Sequence, residues 1–348
     1  MWKADSLVRQ PIPVIIVAGF LGAGKTSLLN HLLRNPQGAR IGVVVNDFGK
    51  INIDALSVAG QVDSTVSLGN GCLCCAVDAS GLDDLLARLA RPGSDIDVIV
   101  IESSGLADPR GMVRLLLNST NPRLGYGGLV EVVDAAEFDA TRRRHPEIDQ
   151  HLRFADLVLL NKIDRVAESD QRRLAELVGG LAGGKPVLPT AHGRVDPALL
   201  FDREAVRERQ DVARQLSFDE LLADSSDDCH EHLHTAYQSV EFTADDPVHP
   251  RELMRFLDDR PDGVYRMKGQ VHFGAPGQGQ KFTLHTVGDF LRFQRSRWAR
   301  GESRCTQLVV IGSGLDQDRV RRDLAACLGE PDAADEHSML DVLKYTRA

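Results

Sequence analysis

Residues Pro13–Thr26 read PVIIVAGFLGAGKT, and they are the strongest indication of fold in the sequence. The apolar run Pro13–Ala18 is typical of a buried parallel strand. The segment Gly19–Thr26 has the pattern G-x-x-x-x-G-K-T, in which backbone N–H groups and a helix amino terminus bind polyphosphate. Leucines then recur at helical spacing as far as Asn35-Pro36, which predicts a helix behind the loop. Strand, loop and helix together predict a P-loop nucleotide-binding domain.

This loop gives individual residues predictable roles. Lys25 is expected to reach the β and γ oxygens of the nucleotide and to stabilise the transferring phosphate, which makes it a predicted catalytic residue. The Thr26 hydroxyl is expected to bind Mg²⁺. The nucleotide-binding residues predicted in this segment are Gly19, Gly22, Ala23, Gly24, Lys25, Thr26 and Ser27.

A second apolar run, Asp97–Ile101, ends in Glu102-Ser103-Ser104-Gly105. An open parallel sheet places its site at the carboxyl ends of its strands, so this motif is expected to lie beside the loop. Glu102 is predicted to hold Mg²⁺ or its water shell during catalysis. The backbone N–H of Gly105 is predicted to bond the γ-phosphate.

A third apolar run, Leu157–Leu160, ends in Asn161-Lys162-Ile163-Asp164. The Asp164 carboxylate can accept both N–H donors on the Watson–Crick edge of guanine, which adenine cannot supply. Asn161 and Lys162 are expected to brace the loop and cover the base. A further loop follows Val187–Pro189, and its backbone at Ala191 is expected to touch the base. GTP is therefore the predicted nucleotide.

Three of the 6 cysteines, Cys72, Cys74 and Cys75, lie within four residues of one another. In a reducing cytoplasm, clustered thiols indicate metal ligands or redox groups rather than disulfides. Three thiolates suit Zn²⁺, Co²⁺ or Cu⁺ and leave a fourth position for an acid, a histidine or water. Packing in a tight turn and an adjacent redox pair are the alternative interpretations.

The combination of motifs resembles the CobW-type metal-handling GTPases, relatives of the urease and hydrogenase nickel-insertion GTPases. The segments that carry the resemblance are Gly19–Thr26, Val45–Gly49, Gly71–Cys75, Glu102–Pro109, Asn161–Asp164, Tyr265–Gly269 and Leu308–Gly312.

The resemblance implies acidic metal ligands after the strand Ile41–Val45. Here Asp47 replaces the usual Glu, and Lys50 stands where a second Glu is common. Asp47 can still bind the transferred metal, but Lys50 cannot while it is protonated. The fourth metal ligand therefore stays open. Asp54, in the next segment, is predicted to contact Mg²⁺ or the attacking water and is included among the catalytic residues.

The chain has 348 residues, 43% of them hydrophobic, and a net charge of −9. This length and composition predict a protein of two domains. We expect an α/β P-loop domain with an open, mostly parallel sheet over 11–202 and a charged linker over 203–234. A smaller α+β carboxy-terminal domain over 235–330 and a tail over 331–348 are expected to follow. The acidic charge argues against nucleic acid as a partner, and no apolar run approaches the ~20 residues that span a membrane. A cytoplasmic protein is expected.

Within the linker, His230, His232 and His234 would share one face of an extended segment. Such a run suits auxiliary capture of Zn²⁺, Ni²⁺ or Co²⁺, and an ordinary solvated linker is the alternative.

These observations predict a Mg²⁺-dependent GTPase. Its turnover is expected to be slow, because no strong general base is evident in the sequence. Bound GTP would draw Asp47 and the thiols together, and hydrolysis would release Zn²⁺ (or Co²⁺) to a client metalloprotein of unknown identity. A nucleotide-dependent homodimer is a further hypothesis. The alternatives are a zinc buffer or sensor with a structural nucleotide, and a small-molecule kinase, against which the motif Asn161–Asp164 argues.

Overall fold

The computed structural model describes residues 11–45, 65–67, 79–91, 93–105, 108–201, 237–274, 279–329 and 337–346. The chain divides into two compact units, Met1–Ala175 with Pro189–Leu233, and Glu176–Leu188 with His234–Ala348. Within the described residues, no helix has the length and apolar character needed to cross a membrane.

A seven-stranded sheet forms the centre of the nucleotide-binding part. Its strands are β1 (Ile12–Ala18), β2 (Ile41–Val45), β3 (Thr65–Ser67), β4 (Val98–Glu102), β5 (Leu124–Asp134), β6 (Leu157–Asn161) and β7 (Val187–Pro189). The spatial order is β3-β2-β4-β1-β5-β6-β7, and the pairings among β1 to β6 are parallel. The predicted fold class, a P-loop domain with an open, mostly parallel sheet, is confirmed.

The helices between and after these strands are α1 (Lys25–Arg34), α2 (Ala79–Leu89), α3 (Pro109–Leu117), α4 (Phe138–Arg144), α5 (Ile148–Phe154), α6 (Glu168–Leu181) and α7 (Pro197–Leu200). A short 3-10 turn, Ile163–Arg165, follows β6. Helix α3 begins with a side-chain cap, because the Asp108 carboxylate accepts the N–H of Arg110 and Pro109 occupies the first turn. This cap fixes where the chain enters the helix after the loop that follows β4.

Strand β1 lies at the centre of the sheet, and Val14, Ile15, Ile16 and Val17 are fully buried. An uninterrupted apolar run is what a parallel strand covered on both faces requires. Its carboxyl end lies beside that of β4, since Val17 is level with Glu102. The sheet therefore brings the P-loop and the Glu102 motif to one edge, as expected from the strand ends.

The second unit contains an antiparallel sheet whose strands are β8 (Gln238–Ala244), β9 (Val264–Val271), β10 (Gln280–Val287), β11 (Phe290–Arg297) and β12 (Thr306–Gly312). Its spatial order is β11-β10-β9-β12-β8. Its helices are α8 (Pro250–Asp258), α9 (Gln317–Ala326) and α10 (Leu340–Lys344). Phe273, Phe282 and Phe293 lie in a core that also takes in Met339 and Val342. A smaller α+β unit is thus confirmed, and residues placed in the predicted tail contribute to its core.

Candidate nucleotide-binding site

The P-loop joins β1 to α1 and turns at Gly24, which has a left-handed backbone with φ of 109°. A Cβ atom at Gly24 would lie 2.2 Å from Nδ2 of Asn161, so only glycine fits there. The first turn of α1 contains no acidic side chain, and Ser27 is exposed on it. The N–H groups and positive dipole end of this helix therefore favour an anion.

The predicted phosphate lysine is already held inside the loop. Lys25 is buried, and its Nζ donates hydrogen bonds to the carbonyl oxygens of Gly19 at 2.9 Å and Phe20 at 3.3 Å. These are neutral acceptors, and an ammonium forms stronger hydrogen bonds with anionic oxygens. The lysine is thus placed to exchange loop carbonyls for phosphate oxygens.

The predicted magnesium residues contact each other directly. Thr26 Oγ1 donates a hydrogen bond to Glu102 Oε1 at 2.9 Å, and Glu102 is only 5% exposed. A hydroxyl beside a carboxylate is a set of hard oxygen ligands of the kind that Mg²⁺ prefers. The two side chains therefore fit a Mg²⁺ ion at this position.

The loop after β4 touches the P-loop at Gly105. A Cβ atom on Gly105 would lie 2.7 Å from the backbone nitrogen of Leu21, which is too close for any other residue. Two predicted phosphate-contacting segments are therefore in backbone contact.

Asn161 connects the P-loop to the loops expected to bind the base through one buried side chain. Its Nδ2 donates to the carbonyl oxygen of Ala23 at 2.9 Å. Its Oδ1 accepts hydrogen bonds from Thr190 Oγ1 at 3.2 Å and from Gly193 N at 2.9 Å. Three segments distant in sequence are held together in this way.

The remaining residues of the N-K-x-D motif lie on the partly exposed side of the same network. Lys162 has a left-handed backbone with φ of 61°, a conformation that costs a non-glycine residue about 1 kcal/mol or more. Its Nζ pairs with Asp134 Oδ2 at 2.6 Å. The Asp164 carboxylate is 39% exposed, and its Oδ2 lies 3.9 Å from Nε2 of His192. Asp164 is thus accessible to a ligand, and Ala191 lies in the facing loop.

Two contacts to this site were not predicted from the sequence. The first is Asp134, which ends β5 and pairs with Lys162. The second involves Phe20 of the P-loop, whose ring centroid lies 5.0 Å from that of His145 and 6.1 Å from that of His151. Burial lowers the pKa of His151, so its ring is neutral near pH 7. The only signal in the sequence was an aromatic residue at a variable position of the P-loop, because His145 and His151 are distant from Phe20 along the chain.

The predicted transferred-metal ligands, namely Asp47, Cys72, Cys74, Cys75, His230, His232 and His234, lie outside the described residues, as do Asp54 and Lys50. Among the residues that are described, no group of three or more His, Cys, Asp or Glu side chains is arranged to hold a metal ion. Cys305 and Cys327 are buried, and burial raises the pKa of the Cys327 thiol to about 11. A thiol of that pKa is a poor metal ligand at neutral pH.

The chain matches two family models in succession. The model for the CobW/HypB/UreG nucleotide-binding domain matches residues 13–189, and the model for the cobalamin synthesis protein cobW carboxy-terminal domain matches residues 237–328. The chain belongs to the CobW family. The first match includes the P-loop, Glu102 and the N-K-x-D motif, so most of the site described above lies in the nucleotide-binding domain of this family.

Two curated CobW-family relatives align over most of their length. The zinc chaperone CobW of Pseudomonas aeruginosa is 33% identical over 91% of this chain and 92% of that protein. The zinc chaperone YjiA of Escherichia coli is 28% identical over 91% of this chain and 98% of that protein. A crystal structure of Zn(II)-bound YjiA GTPase from E. coli aligns at 24% identity over 92% of this chain and 100% of that chain, with a TM-score of 0.43.

Proposed function

We propose that this CobW-family chain hydrolyses GTP and couples its nucleotide state to the binding of Zn²⁺ and its delivery to a client metalloprotein. The observation that carries the nucleotide part is the Asn161 side chain, which joins the P-loop to the loops expected to read the base. The metal part is supported by the thiol cluster in the sequence and by the similarity to proteins named zinc chaperones.

In the proposed reaction, Lys25 moves its hydrogen bonds from the carbonyls of Gly19 and Phe20 to the β and γ oxygens. The backbone N–H groups of the P-loop and of Gly105 hold the remaining phosphate oxygens. Thr26 and Glu102 would hold Mg²⁺, which when bound supplies positive charge to the phosphate oxygens. Water attacks the γ-phosphate in line, with Asp54 as the residue proposed to orient it.

Guanine is the proposed base because Asp164 is accessible and carries two acceptor oxygens. Lys162 and Ala191 are proposed to lie against the base from the two adjacent loops. The preference in binding free energy for GTP over ATP would then come from the two hydrogen bonds that guanine donates to Asp164. Adenine would leave the two carboxylate oxygens unpaired.

For the cargo, we propose Cys72, Cys74, Cys75 and Asp47 as ligands of Zn²⁺, with Co²⁺ as the alternative metal. These residues lie in sequence between the P-loop and Glu102, so a change at the γ-phosphate can act on them from both sides. His230, His232 and His234 are proposed as an auxiliary capture site. A homodimer that forms only with nucleotide bound is part of the proposal.

The proposal is tested by two assays on the purified chain. Zn²⁺ affinity is measured by competition with a chromogenic chelator for wild type, Cys74→Ser and the matched control Cys305→Ser. We expect Cys74→Ser to weaken binding at least roughly tenfold, because one of three thiolates is lost, and Cys305→Ser to leave it unchanged. Equal affinity in all three proteins would remove the thiol cluster from the proposal.

The second assay measures phosphate release from GTP with Mg²⁺ for wild type, Thr26→Ala and Thr26→Ser. Thr26→Ala should slow turnover roughly tenfold or more, while Thr26→Ser, which keeps the hydroxyl, should retain most of it. Turnover of ATP as fast as GTP, or no dependence on Thr26, would contradict the proposed GTPase site.

A further inference from the structure

Glu131 is a buried carboxyl group beneath the P-loop that the proposed reaction does not use. It is fully buried on β5, where its neighbours across the sheet are Ala18 of β1 and Val158 of β6. Neither carboxylate oxygen has a hydrogen-bond partner within the described part of the chain. Ala18 is the last residue before the P-loop, so Glu131 lies one residue below the point where the loop begins.

Lys25 is the charged group that acts on this carboxyl. Its ammonium lies on the carbonyl of Gly19, the residue that follows Ala18. The helices packed on β5 contribute Arg110 and Arg114 from α3, and Asp149, His151 and Arg153 from α5. None of these five side chains contributes to the shift in the pKa of Glu131. The neighbouring strands β1 and β6 carry no ionisable side chain. Burial raises the pKa of Glu131 to about 8, and Lys25 opposes that rise.

The same lysine is the residue that the phosphates of a nucleotide would engage. Adding negative charge beside Lys25 favours the neutral form of any nearby carboxyl group, because like charges repel. An ionised Glu131 would conversely repel the phosphates and compete for the lysine. Proton binding and nucleotide binding at two such positions must each strengthen the other to the same degree.

We propose that Glu131 is a proton-linked positioning residue of the P-loop, whose carboxyl must stay neutral for tight nucleotide binding and whose ionisation at alkaline pH releases the nucleotide phosphates. The inference rests on the proposed function, since it requires that a nucleotide binds at the loop. Glu102 is a different carboxyl group in the site. It ends β4 opposite Val17 of β1 and accepts a hydrogen bond from Thr26.

The test is the affinity of the full chain for Mg²⁺·GDP from pH 7 to pH 9, measured by calorimetry in two buffers of different ionisation enthalpy. The variants are Glu131→Gln, a neutral group of the same shape, and Glu131→Met, an apolar group of similar length. Glu137→Gln is the matched control, because Glu137 is an exposed carboxyl at the start of α4 whose side chain makes no cap hydrogen bond.

In wild type and Glu137→Gln we expect the dissociation constant to rise roughly tenfold between pH 7 and pH 9, with uptake of roughly three quarters of a proton per nucleotide near pH 8.5. In Glu131→Gln and Glu131→Met both effects should disappear. Tight binding at pH 7 with the same pH dependence in all four proteins would overturn this inference and leave the proposed function intact. No saturable binding by wild type at pH 7 would overturn both.

Discussion

At the scale of single residues, Asn161 stands out because its one side chain makes three hydrogen bonds within the site. It accepts two hydrogen bonds from the loop that follows β7 and donates one to the P-loop while almost fully buried. A buried amide that satisfies both of its ends rigidifies the groups it joins, whereas removing it leaves those groups without partners.

We therefore expect Asn161→Ala to reduce the free energy of unfolding by roughly 3 kcal/mol, about 1 kcal/mol for each of the three hydrogen bonds lost. GDP affinity should fall with it, because the P-loop and the base loop are no longer joined. Urea denaturation and fluorescent-nucleotide binding measure the two effects. Asn35→Ala is the control, since Asn35 is an exposed asparagine at the end of α1. Equal losses in the two variants would mean that Asn161 has no special part in the site.

The raised pKa of Glu131 predicts how the free energy of unfolding changes with pH. The folded chain keeps this proton up to about pH 8, whereas the unfolded chain loses it near 4.5, the ordinary value. Between these values the folded state binds more protons, so the free energy of unfolding falls as pH rises. The contribution is fully present below pH 4.5 and is lost by about pH 8.

Glu131→Gln has no carboxyl to ionise, so its free energy of unfolding should not show this decrease. The free energy of unfolding of the variant relative to wild type should increase by roughly 2 kcal/mol between pH 6 and pH 8, as measured by urea denaturation followed by circular dichroism. The difference between Glu137→Gln and wild type should stay constant over the same range. An advantage of Glu131→Gln that is the same at both pH values would place the pKa of Glu131 outside this window.

At the scale of elements, the loop after β4 and the P-loop are coupled by backbone contact at Gly105. The contact requires glycine, because a methyl group there would meet the nitrogen of Leu21 at 2.7 Å. Backbone atoms cannot yield as a flexible side chain can, so one of the two loops has to move.

Gly105→Ala should therefore separate the loops and reduce the preference of the site for a GTP analogue over GDP, with a smaller effect on GDP itself. The measurement is the ratio of the two dissociation constants. Gly111→Ala is the matched control, since Gly111 lies on α3 with no atom within 4 Å of the added carbon. An unchanged ratio in Gly105→Ala would show that this contact does not sense the γ-phosphate.

The elements also show which parts of the site could be predicted from the sequence. Strands β1, β4 and β6 were predictable because each is a pure apolar run that ends in a polar motif. Strand β5 was missed, since its first half contains Gly125, Gly127 and Gly128 and its second half contains a buried glutamate. The missed strand carries Asp134 and Glu131, so both residues were missed with it.

In the second unit, β11 was missed for a related reason. Arg292, Arg295 and Arg297 interrupt any apolar run in this segment, although they occupy one strand with the core residue Phe293. Long basic side chains on an edge strand obscure the alternation of apolar and polar residues from which a strand is predicted. Its pairing with β10 is a tertiary property that composition does not contain.

At the scale of the whole molecule, a proposed GTP site and a proposed thiol metal site belong to one chain of the CobW family. The P-loop and Glu102 flank the thiol cluster in sequence, and these two flanking parts meet through Thr26 and Gly105. A ligand can shift an equilibrium only if it binds the two states with different affinity. The proposed coupling therefore requires that Zn²⁺ affinity depends on which nucleotide is bound.

The most direct test is the Zn²⁺ affinity of the full chain with Mg²⁺ and a non-hydrolysable GTP analogue, compared with Mg²⁺ and GDP. We expect tighter Zn²⁺ binding with the analogue, by roughly fivefold or more for a coupling of about 1 kcal/mol, and no such difference in Cys74→Ser. Equal Zn²⁺ affinity in the two nucleotide states would contradict the proposed coupling and favour a zinc buffer in which the nucleotide is only structural.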